Sequence, residues 1–288
     1  MLLLATALIA PAHAGFPESV SLRAMDDYEG VSTVPIGDDF VTAGYEQVAK
    51  ELGLIVSNKP MAPAETLGVN GFAVGVASTF GFTRTGSLDG TNPSGWDLVD
   101  PDEEPPLFMF VPQLQVRKGL PLSLEVGANA GWIGLSETAT LGGYARWAPL
   151  EGYRQAPDIA LQAGWSTYVG NDELELGVTD LSATIGYSLP FGTIEGIHQS
   201  VFSPYVGVGI NRIHAAPRAD LTGTQLTGRL PERSGDADDG AEVYDETFAP
   251  LVIDGGFRVQ NGEFTVTLAG TYAPDLIATA SLGFGFAY

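Results

Sequence analysis

The chain has 288 residues, 44% of them hydrophobic, with 37 Gly, 19 Pro, no Cys and a formal net charge of −22. That length suits one large β domain or two small ones, and so acidic a balance argues against nucleic acid as a partner. After residue 14 no apolar run approaches the roughly 20 residues a spanning helix needs, while the apolar content is too high for a disordered acidic chain.

The first segment, MLLLATALIAPAHA, is an apolar core followed by Ala12-His13-Ala14. This is the pattern of a signal peptide, with cleavage expected after Ala14. Export without cysteines means that no disulfide holds the fold together. Residues 15–68 form a distinct N-terminal segment. Within it DDFVTAGYEQVAKELG reads as a helix, capped by Asp38 or Asp39, with Val41, Tyr45, Val48 and Leu52 on one face and Gly53 as its stop. Its apolar stripe has to be buried somewhere. It is expected to act either as a plug or lid of the domain C-terminal to it, or as a helix that meets a partner outside that domain.

From about residue 69 the apolar period changes from near 3.6 to 2, and residues 69–288 read as one all-β domain. Strands are expected at 70–83, 107–118, 120–132, 138–148, 158–169, 176–189, 204–214, 248–260, 263–273 and 276–288. The count is about ten, with 8–12 open because residues 19–25 and 190–203 can hold short strands. Lys118-Gly119 and Asn261-Gly262 are expected as tight turns. The Asn-Gly pair favours a type I′ hairpin, pairing Gln260 with Glu263, Val259 with Phe264 and Phe257 with Val266. In the sixth strand Leu174, Leu176 and Val178 change face before Leu181, Ile185 and Tyr187, which suggests a bulge near Thr179-Asp180.

The two faces of these strands differ in kind. One carries Phe72, Val74, Val76, Leu124, Val126, Phe257 and Phe284; the other mixes Gly, Ala, Ser and Thr with Glu125, Asp180, Asp254 and Arg258. A soluble barrel turns its large apolar side chains inward. A face holding that many charges is no dry core, so the greasy face belongs outside, against lipid. Trp132, Trp147, Tyr187, Tyr272 and Tyr288 fall near strand ends, where amphipathic rings meet headgroups. The connections 84–106 and 216–246 are long and acidic, and alternate with short turns.

The terminal SLGFGFAY, with Leu282, Phe284, Phe286 and Tyr288 alternating to the last residue, resembles the C-terminal strand of Gram-negative outer-membrane β-barrels. The resemblance extends to the signal segment and the dyad pattern. It implies a closed antiparallel transmembrane barrel, with outer-membrane lipid around it and the barrel-assembly machinery as a partner during biogenesis. It also implies short turns and both termini in the periplasm. Closure has a physical reason as well, since a lipid-exposed strand edge leaves unpaired backbone groups.

Catalytic chemistry finds little support. His13 leaves with the signal, His198 lies in a connection, and Asn211-Arg212-Ile213-His214 lacks the carboxylate that an omptin-like rim protease would place two residues before the histidine. A lipid-modifying barrel enzyme is likewise disfavoured, and no cofactor is implied. Asp236, Asp238 and Asp239 are weak calcium candidates, because Gly240 falls one position early for a helix-loop-helix calcium site. The expected role is a small porin-like channel or transporter, occluded or gated by residues 15–68. Its lumen candidates are Gln113, Glu125, Arg146, Gln162, Asp254 and Arg258, passing small solutes or divalent cations. The alternative is a non-conducting structural or adhesive barrel whose acidic loops are the working surface.

Overall fold

The computed structural model describes residues 20–22, 24, 38–85, 94–99, 107–134, 136–152, 156–192, 200–217, 246–274 and 276–288, with the side chains of 38–42 and 246 outside the description. Helix α1 spans Asp38–Val56 and a short α2 spans Gly95–Val99. The strands are β1 (Phe72–Phe82), β2 (Phe108–Leu120), β3 (Leu124–Trp132), β4 (Ala139–Leu150), β5 (Asp158–Val169), β6 (Leu174–Gly186), β7 (Leu189–Phe191), β8 (Ser200–Pro217), β9 (Glu246–Phe248), β10 (Leu251–Asn261), β11 (Phe264–Tyr272) and β12 (Ala278–Ala287).

Ten of these strands form a closed antiparallel barrel. Each pairs with its neighbour in sequence, β8 bridges β6 and β10, and β12 returns to β1 with Val76 opposite Phe284. The short β7 and β9 only extend neighbours: β7 pairs with the start of β8 and β9 with its end. Closure satisfies the backbone all the way round, including the seam, where the Phe72 and Tyr288 amides donate to each other's carbonyls at 2.9 and 2.8 Å.

The alternation is inside-out. Val76, Leu114, Leu181, Val206, Val208, Phe284 and Phe286 are exposed on the outer surface. Glu125, Arg146, Gln162, Asp180 and Asp254 are buried within. Phe72, Leu124 and Phe257 stay on the outer face rather than sharing an interior, because period 2 carries each strand's greasy set to one side.

Three local expectations are corrected. The β2–β3 connection is not at Lys118-Gly119: both residues stay in the ladder, opposite Val126 and Glu125, and the turn is Pro121–Ser123. Leu122 and Ser123 take positive φ there, at 65° and 57°. Gly119 is needed for another reason. A Cβ on it would lie 1.8 Å from the Gly68 carbonyl oxygen, where the chain crosses beneath the barrel.

The second correction concerns the last-but-one hairpin. Asn261 pairs with Phe264, Val259 with Val266 and Phe257 with Leu268, so the loop is Gly262-Glu263, and Gly262 alone has positive φ, 59°. That fits a II′ turn with glycine first. The register differs by two from the expected one, which preserves every residue's face. It sets large outward side chains directly opposite one another and lets Thr271 Oγ1 donate to Asp254 at 2.6 Å.

The third concerns β6, which has no bulge near Thr179. Its pairing runs without a break from Leu176 to Gly186 against β5 and from Leu174 to Gly186 against β8. Leu174, Leu176 and Val178 lie on the same inward face as Asp180, Ser182 and Thr184. They are apolar because the upper lumen is filled by protein rather than water. Among the described strands the register shifts instead in β4, between Trp147 and Leu150.

Candidate functional site

The barrel interior has two storeys, and both are occupied by the chain that precedes β1. Strand direction sets the geometry. β1 rises from the end bearing the turns 121–123 and 262–263 to the end bearing the long connections. Helix α1 sits at the long-connection end, touching β1, β5, β6 and β8. This differs from a helix on the short-turn side. Tyr45, Val48 and Leu52 are buried as the apolar stripe requires, and Val41 is in the helix with its side chain outside the description. The helix also runs past Gly53 to Val56. Gly53 serves packing, since a Cβ there would fall 2.6 Å from Ile213 Cγ2.

The upper storey is a continuous apolar cluster. Tyr45, Val48, Leu52, Leu54 and Ile55 of the helical segment meet Met109, Val111, Ile133, Leu174, Leu176, Val178 and Ile213 from the inner strand faces. The connection after β1 folds back over this cluster through α2, burying Trp96, Leu98 and Val99. One acidic group lies within it. Glu51, fully buried, accepts from Trp96 Nε1 at 2.7 Å, the Arg84 amide at 3.1 Å and Gln47 Nε2 at 3.1 Å. Burial pushes its carboxyl above the ordinary glutamate range, and these hydrogen bonds only partly offset that.

Below α1, residues 57–68 run down the lumen as an extended strap. Polar side chains hold it at several points. Asn58 donates to Asp180 at 2.8 Å and accepts from Asn129 at 2.7 Å. Lys59 Nζ donates to the Leu54 carbonyl and to Ser57 Oγ, and the carboxylates acting on it are Asp254 and Asp180. Arg146 donates to the Pro63 carbonyl at 3.2 Å and to Gln162 Oε1 at 2.7 Å. Glu65 pairs with Arg258 and accepts from Ser188. The Leu67 amide donates to Glu125, which also takes the Tyr144 hydroxyl and lies 3.6 Å from Arg117. Thr66 closes the series against Glu151.

All six lumen candidates therefore face inward: Glu125, Arg146, Gln162, Asp254 and Arg258 are buried, and Gln113 donates to Thr79 Oγ1 at 3.0 Å. They meet protein at most of these contacts. Sequence reasoning missed their partners Asn58, Lys59 and Glu65, and missed Trp96 and Glu51 altogether. A polar Ser57-Asn58-Lys59 followed by Pro60, just before the first strand, was the available signal.

The remaining candidates separate widely. His214 is on the outer face of β8, with its backbone opposite Gly177 and Thr247. Among the described residues no group of three His, Asp or Glu side chains could hold a metal ion. Asp236, Asp238, Asp239, His13, His198 and the signal segment lie outside the described residues. Leu282, Phe284 and Phe286 point outward on β12, and Tyr288, just past its end, is exposed.

A closed antiparallel barrel with charges inside and a greasy belt outside is the architecture of the Gram-negative outer-membrane β-barrels. Neither a protein-family model nor a curated protein matches the sequence. Solved structures similar in fold include Omp33 of Acinetobacter baumannii, at 12% identity over 78% of this chain and 100% of that one, with a TM-score of 0.28. The attachment invasion locus protein Ail of Yersinia pestis has 10% identity, 76% and 97% coverage and a TM-score of 0.23. The transport unit of the Escherichia coli autotransporter AIDA-I has 11% identity, 85% and 98% coverage and a TM-score of 0.34. The class rests on the inside-out geometry.

Proposed function

We propose that the protein is exported by a signal peptide of residues 1–14 and resides in the outer membrane, its short turns in the periplasm and its long connections outside. At rest it is closed by its own N-terminal segment, and its work is done at the long-connection face. The observation that carries this reading is the apolar upper storey. Leu52, Leu176 and Ile213 have no exposed surface and Trp96 has 2%, so among the described residues no wetted path passes between the helix and these wall residues. Water-filled conduction needs such a path. The acidic connection 218–245 then offers carboxylates to cationic partners or divalent ions.

A gated channel is the second reading, favoured by the lower storey. There the wall is largely polar and meets the strap at Asn58, Pro63, Glu65 and Thr66, and moving the strap would leave a passage lined by Gln113, Glu125, Arg146 and Asp254. Planar-bilayer recording separates the two. A full chain silent at every applied potential, with steady conductance only after deletion of residues 15–64, supports the surface reading. Voltage-induced openings of the full chain, made more frequent by Trp96→Ala, would select the channel. Steady open steps from the full chain would overturn closure itself.

A further inference from the structure

The direction in which the chain crosses the lumen has a topological consequence. Residues 57–68 pass once, from α1 at the long-connection end to Gly68–Gly71 at the short-turn end, where the Gly119 amide donates to the Gly71 carbonyl at 3.0 Å. The residues upstream of α1 that are described do not turn back. Val20 and Leu22 are buried, the Val20 carbonyl accepts from Asn171 Nδ2 at 2.8 Å, and Ser21 Oγ donates to Glu173 Oε2 at 3.1 Å. Asn171 and Glu173 lie in the β5–β6 turn, again at the long-connection end. Both described pieces of the chain before residue 57 therefore sit at one mouth, and the strap is the one crossing among the described residues.

We propose that Val20–Leu22 and α1 are elements of the outer face, so that the barrel carries its own N-terminal chain across the membrane through its lumen. The inference rests on the orientation proposed above. Ala43 is the exposed residue of α1 among those whose side chains are described, and it would face the outside medium.

The chain has no cysteine, so single thiols report each side directly. Three variants are expressed in intact Gram-negative cells and treated with a maleimide-polyethylene glycol too large to cross the outer membrane. Asp172→Cys at the β5–β6 turn and Glu263→Cys at the opposite end, both exposed, set the orientation, and Ala43→Cys tests the inference. Heat-modifiable gel migration confirms that each is folded, and labelling in detergent confirms that each thiol reacts. The expected result is labelling of Asp172→Cys and Ala43→Cys in intact cells, with Glu263→Cys labelled only after lysis. Labelling of Asp172→Cys without Ala43→Cys overturns the outer-face helix while leaving the orientation intact. Labelling of Glu263→Cys without Asp172→Cys overturns the orientation itself. Should Ala43→Cys fail to fold, Glu46→Cys one turn on repeats the test.

Discussion

Trp96→Ala tests the sealed mouth directly. Trp96 is 2% exposed, packs in the cluster that holds Leu52 and Ile213, and donates from Nε1 to Glu51 at 2.7 Å. Truncating a buried Trp to Ala costs about 3–5 kcal/mol from lost burial and the cavity left behind. Trp96→Phe keeps the six-membered part of the ring and removes the hydrogen bond to Glu51 together with part of the indole volume, about 1.5–3 kcal/mol. At about 1.4 kcal/mol per tenfold, the alanine variant raises the open population of the mouth by roughly two to three and a half orders of magnitude, and the phenylalanine variant by roughly one to two.

Hydrogen exchange of the barrel in lipid nanodiscs reads this, because local opening is reported separately from global unfolding. Amides in residues 48–56 are expected to exchange faster in the order wild type, Trp96→Phe, Trp96→Ala. Those in β4, which contributes no residue to the apolar cluster, should hold their protection. Unchanged exchange in 48–56 for Trp96→Ala would refute the claim that α2 clamps the helix. Equal loss of protection in 48–56 and β4 would refute the claim that the mouth opens as a unit of its own.

Three further outcomes concern other parts of the molecule. Because burial raises the Glu51 pKa, its contribution to docking is fully present at low pH and is lost as pH rises through the ordinary glutamate range to the raised value; Trp96 emission, with the other tryptophans replaced by Phe, should show the mouth loosening over that window, and Glu51→Gln should flatten the curve. Gly262→Val forces a β-branched residue into φ 59° and should lower the urea midpoint by the equivalent of about 1–2 kcal/mol. Val208→Arg places a cation on the exposed outer face of β8, costing about 2–4 kcal/mol in a bilayer if that position is near the midplane; equal stability of wild type and variant in lipid vesicles would argue against a hydrocarbon surround there.

How far the sequence discloses this structure depends on which physical rule each residue obeys. The dyad pattern is local and strong, so strand positions, the outward set of Phe284, Phe286 and Val76, and the inward Glu125 and Asp254 were legible. Turn chemistry was less so. Lys118-Gly119 carries a turn signal, but Gly119 is spent on the close approach of Gly68, a contact between segments 51 residues apart in sequence that no local rule contains. Asn261-Gly262 does form a hairpin, but a two-residue shift keeps every face, so binary patterning cannot choose the register, and cross-strand pairing decides it.

The least legible feature was the filling of the barrel. Alternation says which residues point inward; it does not say whether they meet water or protein. Leu174, Leu176 and Val178 looked out of phase only on the premise that an inward residue is polar. Their continuous pairing and full burial against the apolar cluster show the premise failing in the upper storey alone. The same residues thereby locate the helix: an inward apolar ring at one end of an otherwise polar lumen requires an apolar partner at that end, and Tyr45, Val48 and Leu52 are the stripe of matching chemistry in the chain. Taken with the polar strap below it, that match fixes the direction of threading, since the strap leaving α1 has only the short-turn end left to reach before β1 begins.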